Sequence, residues 1–266
     1  MIGQEKLLNK LHNYSIDSFP RSVILLGEKG SGKHLITKYI SENIINLPLL
    51  DITDNISNEY LDMIYRNPNP TIYLIDMSKM TEKEQNILLK FTEEPLTNSF
   101  VILLCEAHNS VLNTILNRCL IFELERYTKA QLSSFLDVNY KENEDLILSI
   151  LKTPGKVKSA NLSHIQEIYA LCQTIANKLS VASYPNTLTI VDKLNYKDMY
   201  DKYDIDVFFD TLLYVLFEEY LKGNSIMYNL YTFTIRERFK YLMDVRLNKE
   251  LFMINYLTKL WKLVKR

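Results

Sequence analysis

Seven consecutive residues, Gly27-Glu28-Lys29-Gly30-Ser31-Gly32-Lys33, fit the phosphate-loop pattern G-x-x-x-x-G-K. In such a loop, backbone N–H groups and the start of the following helix cradle phosphate, while the lysine reaches the outer phosphates. Chance is a poor account of the match, because the chain has only 6 glycines and three of them fall here. Position 34, where a Ser or Thr hydroxyl would hold Mg²⁺, is His34, a weak ligand in a site built for hard oxygen donors. A second acidic element is supplied by Thr71-Ile72-Tyr73-Leu74-Ile75-Asp76, with Asp76 placed to face the metal. The next residue, where a carboxylate would orient an attacking water, is Met77. Hydrolysis by this chain alone is therefore not expected. Gly27, Gly30, Gly32, Lys33, His34 and Asp76 are the nucleotide-binding candidates, with ATP or ADP expected to bind weakly and no cofactor required.

The elements that would position these groups follow from hydrophobic patterning. Residues 22–26, 47–52, 71–76, 100–105 and 119–124 are short apolar runs, read as strands of a parallel sheet buried on both faces. Helical spacing is expected over 34–45 and 110–116, and Thr81-Glu82-Lys83-Glu84 reads as a capping box opening a helix that stops at Pro95. Beyond Tyr127 the strands vanish. Short helices are expected over 128–136, 143–151 and 156–162, broken by Asp137-Val138-Asn139 and Thr153-Pro154-Gly155, and longer ones over 165–179, 204–221, 228–244 and 249–264. The fold class is α/β followed by all-α.

Composition narrows the setting. Hydrophobic residues make up 47% and charged residues 24%, as in a folded globular chain of 266 residues, long enough for two or three domains. The formal net charge is −1, so contact with nucleic acid would need a local patch. Cys105, Cys119 and Cys172 stand far apart, supporting neither a zinc site nor a disulfide framework, so no metal is expected. The opening residues form no apolar leader and no aliphatic run approaches a membrane span, so the expected location is cytoplasmic. The C-terminal lysines Lys259, Lys262 and Lys265 share roughly one helix face opposite Leu257, Leu260, Trp261 and Leu263, read as a packed helix with a solvated basic side.

Four strings stand in the order and spacing of AAA+ clamp-loader subunits: Ile2-Gly3-Gln4-Glu5, the Gly27 to Lys33 loop, Leu88-Leu89-Lys90-Phe91-Thr92-Glu93-Glu94-Pro95, and Asn117-Arg118-Cys119. The last resembles that family's Ser-Arg-Cys motif, with asparagine for serine. Gly155-Lys156-Val157-Lys158-Ser159-Ala160 is similar to its lid motif G-x-x-R-x-A, with Lys158 in place of arginine, either a solvated residue or a weak phosphate contact. The resemblance, strongest over roughly residues 1–125, implies a RecA-like domain over 1–126, a helical lid over 127–162 and a helical collar over 163–266. It also implies a DNA polymerase III type of assembly: other clamp-loader subunits in a hetero-pentameric ring, with the sliding clamp and primed DNA as partners through the complex, and no membrane.

Within that family the departures at positions 34 and 77 together with the retained arginine resemble the delta prime type, and the lack of a four-cysteine zinc module, which sets the chain apart from the ATP-hydrolysing subunits, resembles a compact or phage-encoded form. On spacing alone Arg118 is a solvated residue or an ion-pair partner. The resemblance makes it the catalytic candidate, acting in trans on a neighbour's ATP. Glu93 and Glu94 read as structural or intersubunit contacts, and Cys119 as a small buried hydrophobe. The alternatives are a self-sufficient AAA+ ATPase, which would need the ligand and base that His34 and Met77 do not supply, and a stand-alone nucleotide-binding adaptor.

Overall fold

The computed structural model describes residues 2–94, 96–181, 205–243 and 248–264. Five strands form one sheet: β1 (Ser22–Leu26), β2 (Leu49–Asp51), β3 (Ile72–Asp76), β4 (Phe100–Cys105) and β5 (Leu120–Glu123). Every neighbouring pair is parallel and the order across the sheet is β2-β3-β4-β1-β5. Alternation explains the apolar runs. Val23 and Leu25 point to one core with Ile72, Leu74, Ile102 and Leu104, whereas Ile24 and Leu26 point to the other with Tyr73, Ile75, Val101 and Leu103. The first core is covered by α1 (Glu5–Leu11) and α2 (Lys33–Tyr39), the second by α3 (Asn58–Tyr65), α4 (Glu82–Glu93) and α5 (Asn113–Leu116).

Several local expectations are corrected. The helix expected over 34–45 changes hydrogen-bonding pattern, becoming a π-helix over Ile40–Ile45. The strand expected over 47–52 is only three residues long and all three are exposed, Leu50 at 45%, because β2 is an edge strand with one partner. The helix expected over 110–116 begins at Asn113, after a 3₁₀ turn at His108–Ser110. Helices α1 and α3 were not anticipated from the pattern. In α3 the signal is the Ser57 hydroxyl, which accepts from the Tyr60 backbone N–H at 3.2 Å as an N-cap. The capping box at Thr81 is present, with the Thr81 N–H donating to Glu84 Oε2 at 2.7 Å.

The chain divides into two compact units, residues 1–135 with 153–156, and residues 136–152 with 157–266. The second carries α6's successors: after α6 (Lys129–Ser133) of the first unit come α7 (Glu144–Ile150), α8 (Pro154–Lys158), which crosses the division, α9 (Leu162–Val181), α10 (Ile205–Leu221), α11 (Ser225–Met243) and α12 (Lys249–Val264). Pro154 opens α8 rather than breaking a helix, as its fixed φ suits a first turn. The helical core gathers Phe208, Phe209, Leu212, Leu230, Met253 and Tyr256. Polar groups set within it include Asp210 paired with Arg238 at 2.9 Å, and Thr234 bonded to the Tyr256 hydroxyl at 2.8 Å. On α12, Leu257 and Leu260 are buried and Lys259 is exposed; Lys265 and Arg266 lie outside the described residues.

Candidate functional site

In a parallel sheet all strands end on one edge, where open α/β folds bind ligands. With β3, β4 and β1 adjacent, the residues just past their carboxyl ends come together: Asp76, Glu106 and the Gly27 loop. The Gly27 N–H donates to the Cys105 carbonyl at 3.0 Å, joining the loop to β4. A Cβ at Gly27 would sit 2.8 Å from Ser31 Oγ and 3.1 Å from Leu124 Cβ, so the loop returns tightly against both side chains. Gly30 and Gly32 both have positive φ, +79° and +101°, and Gly32 is the N-cap of α2.

The loop is bonded to the protein on several sides. Tyr127 donates its hydroxyl to the Ser31 carbonyl at 2.8 Å, Thr153 to the Lys29 carbonyl at 2.9 Å, and the Gly155 N–H to the Gly30 carbonyl at 2.9 Å. Lys33, only 7% exposed, turns its ammonium onto the loop itself, donating to the carbonyls of Gly27 (2.5 Å) and Glu28 (3.1 Å). Burial pushes its pKa below the ordinary lysine range, and the negative charges of Glu106, Asp76 and Glu28 pull it back up.

The remaining candidates are placed unequally. His34 is exposed on the first turn of α2. The Asp76 carboxylate accepts from the Ser78 N–H at 2.9 Å and so caps the turn at Met77–Lys79. Met77, 2% exposed, is a core residue with its Sδ 3.8 Å from Cys105 Sγ. Lys158 is exposed at the end of α8 and belongs to the second unit. The glycines, Lys33 and a buried Ser31 hydroxyl with no hydrogen-bond partner suit a phosphate group; the donors around them do not make a metal site. Among the described residues no group of three or more His, Cys, Asp or Glu could hold a metal ion, and no helix is long and apolar enough to cross a membrane.

Arg118 follows α5 and is exposed. Its Nη1 donates to the Thr114 carbonyl at 3.0 Å, and its Nη2 lies 2.9 Å from Glu93 Oε1. Two motifs recognised separately in the sequence therefore meet in space. Cys119 beside it is buried, which pushes its thiol up to about 12, as burial also does for Cys105.

Sequence reasoning missed Glu106, Tyr127, Thr153 and Gln85. Glu106 was within reach, since it directly follows a strand run on the ligand edge. Tyr127 and Thr153 act across long sequence separations and carry no local signal. Gln85, 4% exposed, donates to the Ser110 carbonyl at 2.8 Å and accepts from the Leu112 N–H at 2.9 Å, tying α4 to the segment leading into α5. Gln4 makes the same kind of clamp, donating to the Glu125 carbonyl and accepting from the Glu125 N–H, both at 2.9 Å.

Residues 49–128 match the family described as DNA polymerase III, delta subunit. A curated relative, DNA polymerase III subunit delta' of Buchnera aphidicola subsp. Baizongia pistaciae, is 26% identical over 154 residues, 56% of this chain and 45% of that protein. The chain thus aligns with less than half of that relative's length. Among solved structures, a DNA polymerase III gamma subunit-related protein of Thermotoga maritima is similar over 98% of this chain and 99% of its own, at 14% identity and a TM-score of 0.47. The RuvB Holliday junction branch migration motor of the same organism is similar over 64% of each chain, at 14% identity and a TM-score of 0.48. The segment matched by the family contains β2 to β5 and two of the four strings, residues 88–95 and 117–119.

Proposed function

We propose that this chain is a non-hydrolysing, stator-like subunit of a sliding-clamp loader, and that Arg118 completes the ATP site of a neighbouring subunit. The observation that carries the reading is the contrast between Lys33, bonded to the carbonyls of its own loop, and Arg118, exposed with a planar fork of donors. Met77 supports it from the other side: a thioether buried in the core takes no proton from water. Arg118 matches the requirement of a phosphoryl-transfer site, because a guanidinium meets two phosphate oxygens together and stays charged. An arginine in that role is worth roughly 10³–10⁵ in rate in other nucleotide hydrolases.

On this reading the partners are the other subunits of a hetero-pentameric ring, with the sliding clamp and primed DNA engaged through the complex in the cytoplasm. Nucleotide binds the chain weakly and with little dependence on Mg²⁺, held by Gly27, Gly30, Gly32 and Lys33.

Two measurements test the proposal. Mixing the purified chain with the clamp-loader subunits of its own genome and resolving the mixture by size exclusion should give a joint complex; a chain that always elutes alone removes the role. Steady-state ATPase of the isolated chain should be at background. Turnover that disappears in both Lys33→Ala and Glu106→Gln would establish a self-sufficient ATPase with Glu106 in place of the missing base.

A further inference from the structure

Glu93 is the last residue of α4, and the end of that helix is tied to α3. The Tyr65 hydroxyl lies 2.9 Å from the Lys90 carbonyl and 2.8 Å from the Glu94 carbonyl, and Lys90 pairs with Asp62 at 2.6 Å. The α5 side is fixed through Gln85, which holds Ser110 and Leu112. Between these two anchored segments stands the Glu93–Arg118 pair, at 2.9 Å, with the two side chains 49% and 37% exposed. A guanidinium has five N–H donors. Here one terminal nitrogen is held by Glu93 and the other by the Thr114 carbonyl, leaving further donors of the fork for an incoming anion.

We propose that Glu93 is a positioning residue for Arg118: with the Thr114 carbonyl it holds the guanidinium in one orientation before a neighbour's phosphate arrives. The proposal rests on the reading of Arg118 as an arginine acting in trans. An untethered arginine samples many rotamers, and the freedom lost on engagement subtracts from what the contact contributes to the reaction. A carboxylate beside the fork removes part of that freedom in advance. Because the pair is exposed, its hold is screened by salt.

The test uses a loader reconstituted from this chain and its partner subunits, with ATP and primed DNA, comparing Glu93→Ala, Glu93→Gln, Arg118→Ala and the double variant Glu93→Ala/Arg118→Ala. Glu93→Ala is expected to lower kcat roughly threefold to tenfold, the scale of one immobilised side chain, while KM for ATP and complex assembly stay unchanged. Glu93→Gln, which keeps an acceptor without the charge, should recover part of the loss. In the Arg118→Ala background the Glu93 change should have no further effect. In the isolated chain, ¹⁵N NMR should show faster rotation of the Arg118 guanidinium in Glu93→Ala.

The failures are separable. Normal turnover in Arg118→Ala overturns the trans reading and the positioning role with it. Reduced turnover in Arg118→Ala but wild-type kcat in Glu93→Ala overturns the positioning role alone. A Glu93→Ala defect that persists at full size without Arg118 assigns Glu93 another task and also overturns it.

Discussion

The glycine loop and the Arg118 rim are both built from residues that can bind phosphate, yet the protein treats them in opposite ways. At the loop the lysine is turned inward: Lys33 bonds the carbonyls of Gly27 and Glu28, while Tyr127, Thr153 and Gly155 fix three more loop carbonyls from outside. At the rim, Arg118 is held by two contacts and stays exposed. A buried donor satisfied by its own chain must lose those bonds before it serves a ligand, whereas an exposed one exchanges only water. Sequence motifs record which groups are present; the hydrogen bonds decide which are available.

The largest effect that would sharpen this contrast is at the rim. If Arg118 acts in trans as proposed, Arg118→Ala should lower ATP hydrolysis at the neighbouring site by about 10³-fold or more while leaving the melting temperature and assembly unchanged, as measured on reconstituted loaders. Arg118→Lys should recover little, because an ammonium cannot hold two oxygens in fixed geometry. Unchanged hydrolysis with alanine would make Arg118 an ordinary surface residue and erase the difference between the regions.

At the loop the expected effects are on stability. A Cβ at Gly155 would lie 2.7 Å from Gly30 Cα, a backbone atom that cannot swing aside, so Gly155→Ala should destabilise the protein by about 1–3 kcal/mol in chemical denaturation. Lys33→Ala strips donors from the Gly27 and Glu28 carbonyls and should cost roughly 1–3 kcal/mol. If Lys33→Ala instead impaired loader turnover as severely as Arg118→Ala, the loop would be an active site after all.

The smallest effect is at the capping box of α4, the helix that carries Glu93. The Thr81 backbone N–H holds the Glu84 carboxyl below its ordinary 4.5. A depressed carboxyl contributes stability above that pH and loses it as the pH falls through the lowered value. Thr81→Ala keeps that N–H but removes the hydroxyl that donates to Glu84 Oε2 at 2.8 Å, the second cause of the lowered value; it should cost about 1 kcal/mol at neutral pH, and part of the wild-type advantage should be lost under acid titration followed by circular dichroism.

Much of the sheet was legible because each inner strand is a short apolar run with both faces buried, a pattern that needs no knowledge of neighbours. The edges were not: Leu49 and Leu50 look like core residues in sequence, and their exposure follows only from β2 having a single partner. The loop and Arg118 were found from residue type and spacing. What they touch was hidden, because Tyr127 to Ser31 and Thr153 to Lys29 are joined by the fold and not by any local pattern. The pairing of Glu93 with Arg118 was equally invisible, although each residue stood in a recognised string.

The two buried glutamines bear on how distant relatives could be recognised. A carboxamide carries a donor and an acceptor side by side, as a peptide group does, so Gln4 and Gln85 each add something like one rung of backbone ladder where no strand runs. Glutamate of the same length offers only acceptors when ionised, lysine only donors, and methionine neither of comparable strength. A side chain that must both give and receive at a fixed reach has few substitutes. Among chains that fold this way, glutamine at these two places should therefore persist while the exposed positions around it change.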